Sequence, residues 1–301
     1  MKDAMACTLH SADGYVLSLR VYEADSPRAA VMCVHGMEEH QDRYQDFARF
    51  LQGRGFTVVT ADLRGHGKTA PLLSHIADRD GHLRLLEDEQ AILTEIQKRW
   101  PRLPVILFGH SMGTLIARVF LMEHSASFQK VVLSGYPNPN PAASAGLGLA
   151  KGLSLLRGPG GHSKLVDDMV LGAFAKAVPD ARSSLDWLSV NPENVKKYAE
   201  DPLCGVPFTL GSYQALFQLI RRMMKPGAAR QVQAELPFLL ISGAEDPCTG
   251  GEKGRQASLD LLRETGFRNL TVQTLPGMRH EILNETCREA VFEAIAAFLE
   301  S

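Results

Sequence analysis

The feature that most constrains this chain is a short strand-to-helix turn centred on Ser111. Apolar residues 105–108 are typical of a buried strand, and Gly109-His110-Ser111-Met112-Gly113 follows them directly. Apolar side chains at helical spacing come next. A turn this tight strains its central residue and tolerates only small neighbours, which explains a glycine two positions away on either side. The pattern predicts an exposed, nucleophilic Ser111 hydroxyl group, although an ordinary strand-to-helix turn would look the same.

The remaining apolar patterns alternate between strand and helix. A half-exposed strand is predicted at 14–21, buried strands at 29–34, 56–61, 105–108, 130–134 and 238–242, and a further strand at 270–275. Helices are predicted at 44–51, 83–100, 253–265 and 282–299, besides the one that follows Gly113. This alternation predicts an α/β protein with a mostly parallel, doubly wound sheet.

The alternation stops between two of the strands. Residues 137–236 contain no evident buried strand, begin with three prolines, and show helical patterns at 165–178, 183–188 and 213–224. Because an insertion of this length is too long for a structureless loop, we expect a helical cap on a core formed by residues 1–136 and 237–301.

Charge and cysteine content narrow the classes of partner and compartment. The 301 residues include 32 Lys and Arg against 34 Asp and Glu, which gives a formal net charge of −2. Such a chain does not favour nucleic acid or an anionic membrane, so a small and largely uncharged partner is expected. Five cysteines without a C-x-x-C pair argue against a disulfide framework or a zinc site. With no evident signal peptide or transmembrane stretch, these features predict a cytoplasmic protein.

A serine nucleophile needs a base and a group that orients the base, and both are expected downstream. The turn after the strand at 238–242 contains Glu245 and Asp246, at the sheet edge where sites in open α/β sheets gather. We favour Asp246 as the orienting acid over its neighbour Glu245. His280 follows the last strand, with a helix expected immediately after it. The sequence therefore predicts a catalytic triad of Ser111, Asp246 and His280.

Two backbone N–H groups are candidates for stabilising a developing oxyanion. Met112 begins the helix after the nucleophile, and Met37 follows the first buried strand. We interpret Glu39 and Arg43, four residues apart, as a local ion pair that shapes the loop of Met37. His66, between two glycines, is interpreted as a structural turn residue.

Several segments of the chain carry a family resemblance. They are His35-Gly36-Met37-Glu38-Glu39-His40, Asp62-Leu63-Arg64-Gly65-His66-Gly67, Gly109-His110-Ser111-Met112-Gly113, Glu245-Asp246-Pro247, Arg279-His280-Glu281-Ile282-Leu283-Asn284-Glu285, Asp186-Trp187-Leu188-Ser189 and Asp201-Pro202-Leu203-Cys204-Gly205. Together these segments resemble the monoacylglycerol lipase and lysophospholipase branch of the α/β hydrolases. The resemblance includes a bacterial subgroup that is also classified with serine aminopeptidases, and it spans nearly the whole chain.

The resemblance implies the α/β-hydrolase fold, triad roles for Ser111, Asp246 and His280, and an oxyanion hole formed by Met37 and Met112. Where these lipases usually carry a small residue after His-Gly, this chain has Met37. The predicted function is hydrolysis of carboxylic esters of apolar acyl groups, of the monoacylglycerol or lysophospholipid type. A proline-iminopeptidase-like serine aminopeptidase, an acyl-thioesterase and a non-catalytic binding module are the alternatives.

The predicted partner is therefore a small apolar ester. Neither nucleic acid nor stable membrane insertion is expected, transient contact between the cap and a lipid surface is left open, and no metal or cofactor is required. Candidate pocket residues, which could equally form the core of the cap, are Tyr136, Leu149, Leu153, Trp187, Phe217 and Ile220.

Overall fold

A single sheet organises the protein. The computed structural model describes residues 2–229 and 231–301, and in them eight strands pair in the order β1-β2-β4-β3-β5-β6-β7-β8. The strands are β1 (Met5–His10), β2 (Val16–Tyr22), β3 (Ala29–Val34), β4 (Phe56–Ala61), β5 (Val105–His110), β6 (Lys130–Ser134), β7 (Phe238–Gly243) and β8 (Leu270–Leu275). The pairs β1–β2 and β2–β4 are antiparallel, and the other pairs are parallel. The α/β-hydrolase fold class predicted from the sequence is confirmed.

Successive residues of the central strands face opposite layers, which explains their unbroken apolar runs. In β3, Ala30, Met32 and Val34 pack into one apolar cluster. Ala29, Val31 and Cys33, the alternate residues, pack into another on the opposite face. The edge strand β1 was not predicted, because its side chains are mostly half-buried or exposed and carry little apolar pattern.

Helices cover both faces of the sheet. They are α1 (Gln45–Gly53), α2 (Gly81–Arg99), α3 (Met112–His124), α4 (Ala143–Arg157), α5 (Lys164–Val170), α6 (Gly172–Lys176), α7 (Pro192–Glu200), α8 (Leu210–Met223), α9 (Gly251–Thr265) and α10 (Arg288–Glu300). α1 and α10 share one apolar cluster with the sheet, while α2, α3, α8 and α9 contribute to the other. Among the described residues, no helix combines the length and the hydropathy that crossing a bilayer requires.

The segment inserted between β6 and β7, residues 137–236, carries α4 to α8. Two of these helices, α4 and α7, were not predicted, and the predicted helix at 165–178 is divided into α5 and α6. The glycines of α4 lower its helix propensity, but one of them lets it approach α8 closely. A Cβ atom on Gly146 would lie 2.7 Å from the ring of Phe217. This tertiary contact is not visible in the local sequence.

The predicted closing helix begins later than expected. Only a 3₁₀ turn, Ile282–Asn284, follows His280, and α10 starts at Arg288. The intervening Glu285 explains the difference, because its carboxylate accepts hydrogen bonds from the backbone N–H groups of Val190, Asn191 and Arg279. The loop that carries His280 is thereby joined to the inserted segment.

Candidate active site

Ser111 occupies the sharp turn between β5 and α3. Its backbone has φ 51° and ψ −120°, a positive-φ conformation that is strained for a residue with a side chain. The flanking glycines make the turn possible, since a Cβ atom on Gly113 would lie 2.3 Å from the carbonyl oxygen of Val34. A Cβ atom on Gly109 would lie 2.8 Å from the carbonyl oxygen of Gly113. The strained turn predicted from the sequence is therefore present.

A chain of hydrogen bonds joins the three side chains that the sequence placed in a triad. His280 Nε2 lies 2.8 Å from Ser111 Oγ, and His280 Nδ1 lies 3.0 Å from Asp246 Oδ2. The second oxygen of Asp246 accepts the backbone N–H of Cys248 at 2.9 Å. By contrast, Glu245 is exposed. The geometry thus brings together Ser111, His280 and Asp246, and leaves Glu245 outside.

The surroundings of His280 favour its protonated form. Burial lowers the pKa of His280, but the facing carboxylate of Asp246 and the neighbouring Cys248 together outweigh burial and hold that pKa well above its ordinary value. The neighbouring ring of His110, centred 4.8 Å away, has its pKa lowered to about 4 by burial and by His280. On the other side, the ring of Trp187 lies 4.9 Å from the ring of His280. A proton taken up by this cluster is therefore held on His280.

The oxyanion hole predicted from the sequence consists of two backbone N–H groups, those of Met37 and Met112. Met112 is the first residue of α3, so its N–H has no partner within the helix. Met37 follows the end of β3, and both methionines line the same cavity as Ser111. This arrangement could hold a negatively charged oxygen beside the serine.

The loop that carries Met37 is held by a buried ionic network. Glu39 accepts the Gly36 backbone N–H at 2.6 Å and the Tyr44 hydroxyl group at 2.7 Å. Burial would raise the pKa of Glu39, but Arg43, together with nearby histidines, lowers it to about 2. Arg43 donates to Glu39 Oε2 at 3.1 Å and also to both oxygens of Glu281. The pair predicted to be local therefore joins this loop to the residue that follows His280.

The network also includes the inserted segment. Asn194 of α7 donates to Glu281 at 2.6 Å and accepts a hydrogen bond from Arg43 at 3.0 Å. Neither Glu281 nor Asn194 was singled out in the sequence, because no local pattern indicates a contact between residues so far apart in the chain.

A largely apolar cavity of about 240 Å³ lies above Ser111. Of the predicted pocket residues, Trp187, Phe217 and Ile220 line it. Several further residues that line the cavity were not predicted from the sequence, because they carry no signal beyond an apolar helix face, a loop position or a position close to a triad residue. They include Glu38, Met169, Val170, Leu171, Phe174, Tyr198 and Cys248.

Three of the predicted pocket residues do not line this cavity. Tyr136 is fully buried in the apolar core and does not line the cavity. Leu149 and Leu153 of α4 pack against that core as well. Only the first turn of α4 reaches the cavity, through Ala143, because the rest of the helix continues past it.

Two groups of side chains in the described residues bring together atom types that bind metals. One consists of Asp246, Cys248 and His280, and the other of His40, Asp201 and Cys204. In both groups the histidine is already hydrogen-bonded to the carboxylate, with His40 Nε2 lying 2.8 Å from Asp201 Oδ2. We assign no metal to either group.

Comparison with known proteins places this site in a family. Residues 25–287 match the family described as serine aminopeptidase, S33. A monoacylglycerol lipase of Mycolicibacterium smegmatis is 27% identical over 279 residues, covering 91% of this chain and 89% of the relative. The human monoglyceride lipase is 28% identical over 284 residues, covering 92% of this chain and 84% of the relative.

Solved structures agree with these matches. The crystal structure of a highly thermostable carboxyl esterase from Bacillus coagulans in complex with glycerol superposes with a TM-score of 0.90 at 28% identity, covering 100% of this chain and 99% of that one. The resemblance to the monoacylglycerol lipase and lysophospholipase branch is thereby confirmed. The strained serine turn, the hydrogen-bonded histidine and acid, and the match over residues 25–287 lead to one conclusion: this chain belongs to the serine aminopeptidase S33 family of α/β hydrolases.

Proposed function

We propose that the protein is a serine ester hydrolase that cleaves esters of apolar acyl groups, with monoacylglycerols as the principal substrates. The observation that carries this proposal is the hydrogen-bonded series Ser111–His280–Asp246 opening into an apolar cavity. The names of the relatives support the same reaction, since they are called monoacylglycerol lipase, monoglyceride lipase and carboxyl esterase.

In the proposed first step, Ser111 Oγ attacks the carbonyl carbon of the ester while His280 Nε2 accepts the hydroxyl proton. Asp246 keeps the imidazole oriented and stabilises its protonated form. The N–H groups of Met37 and Met112 hold the negative oxygen of the tetrahedral intermediate. When the intermediate collapses, His280 gives its proton to the departing alcohol and an acyl group remains on Ser111.

The second step repeats this chemistry with water. His280 accepts a proton from a water molecule, whose oxygen attacks the acyl carbon of the acyl-enzyme. The second tetrahedral intermediate collapses, the proton passes from His280 to Ser111 Oγ, and the fatty acid leaves. The enzyme returns to its starting state with no cofactor involved in either step.

Residues 137–236 act in this proposal as a lid on the core of residues 1–136 and 237–301. Their outer surface is strongly apolar at the end of α4, where Leu155 is 88% exposed and Leu156 is 84% exposed. Leu165 and Met169 of α5 are also exposed. We propose that this surface contacts lipid aggregates transiently, without stable insertion, while cytoplasmic location stays a prediction from the sequence.

The aminopeptidase alternative requires an acid in the cavity that can hold a substrate amine. Four acids of the inserted segment are candidates for this role. Asp167 accepts a hydrogen bond from Tyr213, Asp168 from Lys164 and Asp186 from Ser183, and Glu193 is exposed. None of the four lines the cavity.

Three acids do line the cavity among the described residues. Glu39 and Glu281 are paired with Arg43. Burial raises the pKa of Glu38 to about 8, so that Glu38 is mainly neutral near pH 7. These acids therefore favour an ester substrate over an aminoacyl amide, and no structural observation favours a thioester or a purely binding role.

The test is labelling with a fluorophosphonate followed by a substrate panel. Purified protein should be labelled, and Ser111→Ala should not be. The panel contains monoacylglycerols of increasing chain length, a lysophospholipid and alanyl and prolyl anilides. We expect kcat/KM to increase from acetyl to medium-chain glycerol esters, because each additional buried methylene contributes up to about 0.8 kcal/mol. Preference for the acetyl ester, or faster release of an anilide than of any lipid ester, would contradict the proposal.

A further inference from the structure

Glu38 is a buried acid of the cavity for which the proposed mechanism has no role. It follows Met37 directly and is only 6% exposed. Two other acids line the cavity among the described residues, Glu39 and Glu281, and both are paired with Arg43. Glu38 has no such cationic partner. Its Oε1 accepts the backbone N–H of Phe208 at 3.3 Å, and no described residue donates to Oε2.

The backbone of Glu38 adopts a strained conformation. Its φ is 56°, in the left-handed region that disfavours residues with a Cβ atom by about 1–2 kcal/mol. The conformation is fixed through the carbonyl oxygen of Glu38, which accepts the Tyr198 hydroxyl group at 2.9 Å and the Gly205 backbone N–H at 2.9 Å. A glycine would occupy this position without strain. The backbone of Glu38, a residue of the cavity wall, is thus held by contacts that do not involve its carboxyl group.

We infer that Glu38 is a specificity-determining residue that recognises a free hydroxyl group of the substrate, as in the glycerol part of a monoacylglycerol. This inference rests on the proposed function and identifies the residue that would distinguish a polyol ester from an ester of a simple alcohol. A carboxyl group with one oxygen unpartnered can form a hydrogen bond with a hydroxyl group in an otherwise apolar cavity.

The protonation state of Glu38 favours a hydroxyl group over an amine. Burial, followed by the nearby carboxylate of Asp167, raises the pKa of Glu38 to about 8. Near pH 7 the carboxyl group is therefore mainly neutral and can both donate and accept a hydrogen bond. A cationic amine would gain from Glu38 only after the group had lost its proton.

The experiment compares three octanoate esters: monooctanoylglycerol, propyl octanoate and 3-aminopropyl octanoate. The first two share the acyl chain and the three-carbon alcohol and differ only in the two hydroxyl groups. For the wild type, kcat/KM for monooctanoylglycerol should exceed that for propyl octanoate by about tenfold, which is what one good hydrogen bond contributes.

Two variants remove or preserve the proposed hydrogen bond. Glu38→Gly, which the left-handed backbone accommodates, should lower kcat/KM for monooctanoylglycerol by about tenfold and leave propyl octanoate unchanged. Glu38→Gln, which keeps a donor and an acceptor, should retain most of the preference. Asp168→Asn is the matched control, because it removes an exposed carboxylate close to Asp167 and should leave the preference unchanged. Thermal unfolding of each variant checks that it is folded.

The possible failures are distinguishable. If the wild type hydrolyses none of the three esters, the proposed function itself is wrong, and the role of Glu38 with it. If the esters are hydrolysed but Glu38→Gly lowers kcat/KM equally for the glycerol and propyl esters, Glu38 has only a structural role. If the aminopropyl ester is preferred and Glu38→Gln abolishes that preference, the group recognised is an amine. Either of the last two results overturns the inference and leaves ester hydrolysis intact.

Discussion

Replacing Gly113 by alanine tests whether the serine turn depends on close contact between α3 and β3. The added Cβ atom would lie 2.3 Å from the Val34 carbonyl oxygen and 2.7 Å from the His35 carbonyl oxygen. Ordinary contacts begin near 3.4 Å, so the helix and the strand would have to separate by about 1 Å in a close-packed interior. Because both obstructing atoms belong to the backbone, no side-chain rotation relieves the clash. We expect a loss of about 3 kcal/mol or more in the free energy of unfolding, at the upper end for overpacking.

The same separation would move Ser111 and Met112 relative to Met37, and a displacement of about 1 Å in an active site can lower activity by about 100-fold. Urea denaturation gives the first quantity, and hydrolysis of monooctanoylglycerol gives the second. Gly148→Ala in α4 is the matched control, because nothing lies within 4 Å of its added Cβ atom. That change should stabilise the protein by about 0.5–1 kcal/mol through helix propensity. If Gly113→Ala unfolded at the wild-type urea concentration and remained active, our account of the turn would be refuted.

Further predictions concern the triad and a buried acid. Ser111→Ala should abolish fluorophosphonate labelling and ester hydrolysis without changing the urea midpoint; retained turnover would exclude Ser111 as the nucleophile. Because the pKa of His280 is raised and the base must be neutral, wild-type kcat/KM should increase with pH through one limb that lies above about 6.5. Asp246→Asn should lower kcat by about 10⁴. The pH at which the residual activity increases should also become lower, since the carboxylate that raises the pKa of His280 is gone; an unchanged pH dependence would argue against Asp246 as the cause of the raised pKa. Burial, with a contribution from Asp88, raises the pKa of Glu89 to about 8, so the folded state retains a proton that the unfolded state loses near 4.5. Stability should therefore fall as the pH increases from 4.5 towards 8, and Glu89→Gln should reduce that slope in urea titrations; an unchanged slope would contradict it.

The sequence predicted the core well because its signals there are local. The central strands are buried on both faces, and this condition alone produces the apolar runs at 29–34, 56–61 and 238–242. The approach of Ser111, Asp246 and His280 to one another follows from topology, since the carboxyl ends of parallel strands meet at one edge of a sheet.

The inserted segment was predicted poorly because its structure depends on contacts between distant residues. The glycines of α4 disfavour a helix locally. The close packing of Gly146 against Phe217, which the local sequence does not show, explains why a glycine stands in this helix. The direction of α4 decides that Leu149 and Leu153 pack on the core, and the sequence does not contain that direction. The positive φ of Glu38 depends likewise on Tyr198, 160 residues away.

The hydrogen bonds between the His280 loop and the inserted segment determine which parts of the protein should unfold locally together. Besides the contacts of Glu285, the Glu281 N–H donates to the Leu188 carbonyl oxygen at 2.7 Å, and Arg279 donates to the Asp186 carbonyl oxygen at 2.7 Å. We therefore expect residues 186–191 and 279–285 to unfold locally as one cooperative unit. The amide protons of both segments should then exchange with solvent together. α4 and α5 make none of these hydrogen bonds, so we expect that they can open without disturbing His280, whereas local unfolding of residues 186–191 should release His280 from its position. We therefore expect one part of the insertion to admit a substrate when it opens, and another part to inactivate the site when it opens.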